Sequence, residues 1–198
     1  MKKILFLLIV FTAGWQFYNS SGHVTLGPGV LAREAPKQGS IKPLISHVIE
    51  GYDIKGLATF DIKAKVLAKK NYYAGRESDV SPTDLALGWG RMSDERVLDE
   101  ITISQSGRFY RWYVNAFPIP RREIETHSAN MHLIPVNDSV KKMIDLAKQG
   151  DIVEVSGSLV EVVSRFDGWR WKSSQTRNDT GAGACELILV ENFKIVTP

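Results

Sequence analysis

The sequence predicts a mainly β domain with a few short helices, an α+β fold, preceded by an N-terminal membrane helix. Three observations predict it. Ile62, Ala64, Val66 and Ala68 alternate with Lys63, Lys65, Leu67 and Lys69, the period of a half-buried strand, and further short apolar runs follow between turn residues. One segment carries a full helical pattern: Asn137-Asp138-Ser139 opens it, Val140, Met143, Ile144 and Ala147 share a face, and Gly150 is the expected stop. Lys2 and Lys3 precede an apolar run from Ile4 to Ala13, extended by Trp15, Phe17 and Tyr18, the pattern of an export signal. The chain has 198 residues, 43% hydrophobic and 24% charged, enough to bury a core and unlike a disordered tail. A net charge of +3 is too weak to argue for a polyanion partner by itself. The single cysteine, Cys185, excludes an internal disulfide framework and a cysteine-cluster metal site.

The N-terminal run sets the expected compartment. Ile4 to Tyr18 is 15 residues, shorter than the roughly 20 of a full span. No good Ala-x-Ala cleavage site follows it, and no cysteine for a lipid anchor. Trp15, Phe17 and Tyr18 suit the outer interface as an aromatic belt. Residues 1–18 are therefore expected to be a signal anchor in a bacterial inner membrane, with the remainder in the periplasm. The alternative is a cleaved signal that releases the chain into the periplasm. Residues 19–50 carry Ser20, Ser21, Gly22, Gly27, Pro28, Gly29, Pro36, Gly39 and Pro43 and read as a linker. Residues 51–198 are the expected domain.

Within that domain, Ser81-Pro82-Thr83-Asp84 has the chemistry of a helix start, and Ser93-Asp94-Glu95 repeats it. Ile101 to Ser104 and Phe109 to Val114 read as strands joined by a tight turn at Ser106-Gly107. Asp151 to Val163 is a long strand. Its apolar phase becomes mixed just after Gly157, as at a bulge. Asp167-Gly168 turns into Trp169 to Ser173, and Cys185 to Val190 is a final strand, apolar on both faces. A helix between the third and fourth strands, then a bent strand and a hairpin, is the layout of an OB-fold-like small barrel with added short helices.

Two resemblances accompany this reading. Gln149 to Leu159, with Gly150-Asp151-Ile152-Val153-Glu154-Val155-Ser156-Gly157, resembles the fourth-strand region of bacterial single-stranded-DNA-binding proteins. It implies a fold and little about function. The segments Leu87 to Asp94, His127 to His132, and Asp167 to Trp171 with Cys185-Glu186-Leu187 resemble a family of uncharacterised proteobacterial envelope proteins. That implies an envelope location and no mechanism.

Several segments could carry chemistry. Arg108 to Tyr113 and Arg165 to Lys172 interleave basic and aromatic residues, as single-strand binders do. The plainer reading is an amphipathic strand, with Trp169 and Trp171 inward and Arg170 and Lys172 outward. A periplasmic location makes nucleic acid a poor partner and leaves glycans, lipid headgroups or a protein. His127 and His132 are five apart, whereas zinc ligands on a helix need four, so no metal or other cofactor is expected. A polar loop is the reading preferred for that segment. Ser173 to Glu186 is small, polar and glycine-containing. It offers an anion nest around Gly181 and Gly183, or a Cys185 nucleophile with His127 or His132 as base, against a plain hairpin loop. No staphylococcal-type nuclease motif can be matched. The expected function is a non-enzymatic, membrane-tethered binding module for an envelope ligand or protein. Its surface would carry Arg111, Trp112, His127, Asn130, His132, Arg170, Arg177 and Asp179. The alternatives are a thiol or hydrolytic enzyme using Cys185 with His127 or His132, and a structural subunit of an envelope assembly.

Overall fold

The computed structural model describes residues 22–40, 46–176 and 184–196. The fold is mainly β with a few helices. Strands β1 (Lys37–Gly39) and β2 (Ser46–Ile49) precede the long β3 (Tyr52–Asn71). Helix α1 (Arg76–Val80), β4 (Thr83–Gly88), a 3-10 turn (Gly90–Ser93) and α2 (Glu95–Leu98) follow. Then come β5 (Thr102–Ser106), β6 (Phe109–Tyr113), α3 (Arg121–Thr126), β7 (Ser128–Pro135), α4 (Asp138–Leu146), β8 (Ile152–Ser164), β9 (Arg170–Lys172) and β10 (Glu186–Val196).

The pairings run β3–β4–β7–β10–β8 and return from β8 to β3. All are antiparallel except β7 with β10, which is parallel. β3 closes the circuit because it serves two neighbours in turn. Its first part pairs with β8 and its end, from Lys65, pairs with β4. The principal core draws on all five strands and on α4: Phe60, Ile62, Val66, Leu87, Met131, Leu133, Val155, Leu159, Ile188 and Val190 are buried in it. The alternation in β3 is what sends Phe60, Ile62, Ala64 and Val66 to one face.

Two further clusters cover the outside. One joins Tyr52, Ile54, Val160, Val162, Leu187 and Leu189, with Trp169 and Trp171 packed on it. The other joins Leu67, Ala86, Met92, Ile101, Ile119 and Ile124 beneath the β5–β6 hairpin. This explains two sequence features. β10 is apolar on both faces because Ile188 and Val190 enter the principal core while Leu187 and Leu189 enter the second. β8 changes phase after Gly157 because its other face is then buried in the second cluster through Val160 and Val162.

Some expectations are corrected. Ser81-Pro82-Thr83-Asp84 does not start a helix. α1 ends before it, and Thr83–Gly88 is a strand with all six residues buried. Tertiary burial overrides the capping chemistry, and Asp84 becomes an interior carboxylate. The irregularity near Gly157 lies in β10, whose register against β8 shifts between Val190 and Asn192, opposite Gly157 and Ser156. A Cβ on Gly157 would collide with the Leu189 carbonyl, so glycine allows the close approach there. The hairpin turn is Gly107-Arg108, both with positive φ, as a two-residue hairpin requires. Of residues 127–132, expected to be a loop, only His127, which caps the end of α3, lies outside a strand. Ala129, Met131 and Leu133 alternate with Ser128, Asn130 and His132, and β7 is buried on its polar face as well. Helix α4 is capped as expected, Asn137 accepting from Val140 N, but Met143 stays on its exposed side.

Residues 22–39, expected to be linker, pack on the domain. Val24 N donates to Gln149 O. Leu26 N and Gly27 N donate to the Glu95 carboxylate at 2.7 Å each, Gly29 N to Asp94 at 2.9 Å, and Leu31 N and Ala32 N to Ser93 Oγ at 3.1 and 3.0 Å. Gly150 (φ +93°) lies under this strap, where a Cβ would strike the Val24 carbonyl. Glu95 also binds Lys65 Nζ at 2.8 Å, a lysine only 2% exposed. Burial opposes ionisation of Glu95, yet Lys65 and the two strap amides hold its carboxyl below the usual range. Among the described residues no helix is long and apolar enough to cross a membrane; the expected anchor lies outside them.

Candidate functional site

A cavity of about 410 Å³ opens beside the β5–β6 hairpin. β6 supplies Phe109, Tyr110, Arg111 and Trp112. β7 supplies Ser128, Ala129 and Asn130, and the start of β10 supplies Glu186 with Cys185 and Ala184 before it. Trp89, Glu125 and Thr176 complete the wall. The size is within the range of small-ligand sites, and the lining mixes rings with a few polar groups.

The hairpin stands over β7 on polar contacts. Tyr110 Oη lies 2.9 Å from Ser128 Oγ, and burial pushes the phenol up to about 12. Gln105 Nε2 donates to Asn130 Oδ1 at 2.6 Å, and Asn130 Nδ2 donates to the Arg108 carbonyl at 3.0 Å. Arg108, at the turn, reaches into the body. Its Nη1 donates to Asp84 Oδ1 at 2.8 Å and to the Ser81 carbonyl at 2.9 Å, and its guanidinium lies 3.8 Å over the Tyr72 ring. Asp84 is fully buried and faces His132 across the β4–β7 pairing. His132 Nδ1 is 2.9 Å from Asp84 Oδ1, but the ring N–H is not aligned on that oxygen, so this is a close contact and not a hydrogen bond. The His132 ring packs on Trp171 with centroids 4.7 Å apart.

Of the residues singled out from the sequence, Arg111, Trp112, Asn130 and Cys185 meet at the cavity. Arg111 is exposed and donates to Ser106 Oγ at 2.9 Å. The Trp112 ring meets Phe117 edge-on, centroids 6.2 Å apart. Cys185 is half-buried, its Sγ 3.9 Å from the Arg108 carbonyl. The other candidates lie elsewhere. His127 follows α3, with Nδ1 3.1 Å from Thr126 Oγ1, and its ring lies beside Trp89. His132 belongs to the Asp84 cluster. Arg170 is exposed on β9 and donates to Glu161 at 3.0 Å. Arg177 and Asp179 lie outside the described residues, though Thr176 and Ala184 on either side of that segment both line the cavity.

Sequence reasoning missed Glu125, Glu186 and Trp89. Phe109 and Tyr110 stood inside the basic–aromatic segment and could have been chosen with Trp112. Glu186 carries no such signal: it is a carboxylate at the head of an apolar strand, yet only 1% exposed. Among the described residues no three His, Cys, Asp or Glu side chains cluster as a metal ion would require.

Chemically, the cavity can stack a ring or an apolar body on Phe109 and Trp112. It can set a cation, Arg111, and polar groups at Asn130, Glu125 and Glu186 against the ligand's polar atoms. Cys185 lies on that wall too; neither histidine lines it, and the titratable groups there among the described residues include Glu125, Glu186 and Arg111. No family model, curated protein or solved structure matches the chain.

Proposed function

We propose that this chain is a membrane-tethered, periplasm-facing module that binds an envelope ligand or protein partner without transforming it. The binding body is an OB-fold-like small barrel. The strand circuit, with a parallel pair between β7 and β10 and helix α4 between β7 and β8, supports that reading. The basic and apolar start of the sequence supports the tether.

The observation that carries the binding reading is the hairpin cavity, where rings, one arginine and several hydrogen-bonding groups converge. This chemistry suits a ligand with a ring, an anionic group to meet Arg111, and hydroxyl or amide donors to meet Glu125 and Glu186, such as a cell-wall glycan fragment or a lipid headgroup. Because Trp89 and Trp112 line the wall, ligand entry should change tryptophan emission. Soluble muropeptides titrated into the full chain in detergent should give a saturable change, and Arg111→Ala should abolish it. No saturable change with muropeptides, nor with glycerophosphate as the headgroup probe, would defeat this ligand class. Location is tested separately. Tyr73, 91% exposed, replaced by cysteine in a Cys185→Ser background, should react with a membrane-impermeant maleimide from the periplasmic side.

A second reading is favoured by the presence of Cys185 on the same wall: a thiol-dependent enzyme. It requires fast labelling of Cys185 at a pH well below the roughly 8.5 of an ordinary thiol. Full biological activity of Cys185→Ser would end it.

A further inference from the structure

Resting on the tether proposed above, we infer that the C-terminal end of α4 and the neighbouring strap form a docking face for the surface of an anionic bilayer. Three observations meet there. The strap begins at this end of the molecule: His23 bridges to Gln149, and Val24 N donates to Gln149 O. Helix α4 ends at Leu146, just before those residues.

The length of chain between tether and strap limits how far the domain can stand off. The apolar run ends at Tyr18 and the docked strap starts at Gly22. Four residue steps reach at most about 14 Å even when fully extended. Because side chains of Ser93, Asp94 and Glu95 hold the strap amides, the strap is part of the domain and adds no reach. A bilayer entered by the apolar run therefore lies within that distance of this end.

The surface offered there fits a bilayer. Leu146 is 61% exposed and Met143 36%, and as an i,i+3 pair they form one apolar ridge on the helix. Lys141, Lys142 and Lys148 stand exposed around it. Asp145 is paired with Lys141 at 2.7 Å. Lys69 caps the helix, its Nζ donating to the carbonyls of Ile144, Asp145 and Ala147 at 2.9, 2.8 and 3.0 Å. An apolar ridge flanked by lysines is the composition of an interfacial helix, which seats its apolar side at the headgroup boundary while cations meet anionic lipids. Phe166 provides an internal control. It is 81% exposed but follows the far end of β8, whose start adjoins the strap.

The test uses the full chain in a Cys185→Ser background with either Leu146→Cys or Phe166→Cys, labelled with a small fluorophore. Each is reconstituted into vesicles of phosphatidylethanolamine and phosphatidylglycerol carrying a shallow doxyl-lipid quencher. The label at 146 should lose roughly half its emission, as expected for a group within the boundary region, and the label at 166 should lose almost none. Adding Lys142→Glu and Lys148→Glu should reduce the loss at 146. Equal or absent quenching, with the chain still in the vesicle pellet after an alkaline carbonate wash, overturns the docking face and leaves the tether intact. A partner protein covering this face in the cell corresponds to that same result in vesicles. A chain released by the carbonate wash overturns the tether reading itself.

Discussion

Two stretches of this molecule share one sequence pattern and have opposite fates. Arg108 to Tyr113 and Arg165 to Lys172 both interleave arginines with aromatic rings. At β9 the tryptophans turn inward, Trp169 just before the strand and Trp171 within it, while Phe166 in the preceding turn stays exposed. Trp169 meets Tyr52 edge-on at 6.3 Å, Trp171 packs on His132 at 4.7 Å, and the outward Arg170 is neutralised by Glu161. In β6 the outward positions are Phe109, Arg111 and Tyr113, the two rings 41% and 64% exposed, while Tyr110 and Trp112 pack on the body. β9 lies on the edge of the large sheet, where a ring can cover Val162 and Leu187. β6 belongs to a separate two-stranded sheet that shows one face to solvent and one side to the cavity. A basic–aromatic pattern therefore says little about ligand contact until the neighbour of each strand face is known.

The sharpest way to break this comparison is at the hairpin's anchor. Arg108→Met leaves the buried Asp84 carboxylate without its cation and should cost about 3–5 kcal/mol. The urea midpoint at neutral pH reads it. A loss below about 1 kcal/mol, the size of a surface ion pair, would mean the hairpin stands without that anchor. Next comes the pair of fates itself. Trp171→Ala should lose about 2 kcal/mol, less than the roughly 3–5 of a fully buried tryptophan, because the ring is half-exposed. Arg111→Ala should stay within about 0.5 kcal/mol of the parent and affect only ligand response. Equal losses at the two positions would erase the distinction drawn between the strands.

A smaller effect is expected at Tyr110. Tyr110→Phe removes the hydroxyl from Ser128 and should cost about 1 kcal/mol. Burial also raises Tyr52 and Tyr72, so in the parent several tyrosines should ionise late in a spectrophotometric titration, Tyr110 at about 12, and Tyr110→Phe should reduce the amplitude of that late phase. The last prediction concerns the strap. The Arg96 side chain, with the amides of Gly29 and Arg96, holds the Asp94 carboxyl at about 2, below its ordinary 3.8. Its folded-state value is depressed, so its contribution is present above the ordinary value and is lost as pH falls through that window. Asp94→Asn should therefore flatten the acid limb of stability between those two values, with little change in its slope above pH 5, an order set by the unfolded carboxylate.

Much of the element pattern was legible. The alternation in β3, the capped helix at Asn137, a helix start at Ser93-Asp94-Glu95 and the inward Trp169 and Trp171 follow from local period and local hydrogen bonding, although the cap is Asp94, accepting from Arg96 N, and not Ser93. The candidate site was legible only in part. Arg111, Trp112, Asn130 and Cys185 stood out by residue type, but the separation of His127 and His132 from them did not. β7 was hidden because its polar face is buried by distant segments, Ser128 and Asn130 under the β5–β6 hairpin and His132 against Trp171, so burial there does not look apolar. The strap was hidden because its partners are side chains at Ser93 to Glu95, more than sixty positions away.

By itself, the sequence determined a β-rich domain with one well-capped helix, a basic and apolar beginning, and a lone thiol. These depend on periodicity, capping and composition, which act over a few residues. The tertiary structure alone decided that Thr83–Gly88 is a strand, that Asp84 and Lys65 are buried with partners, and that four scattered candidates share one cavity. Each of those outcomes rests on a contact between distant segments. The free energy of burying a charge or a strand face depends on what covers it, and no local pattern specifies the cover.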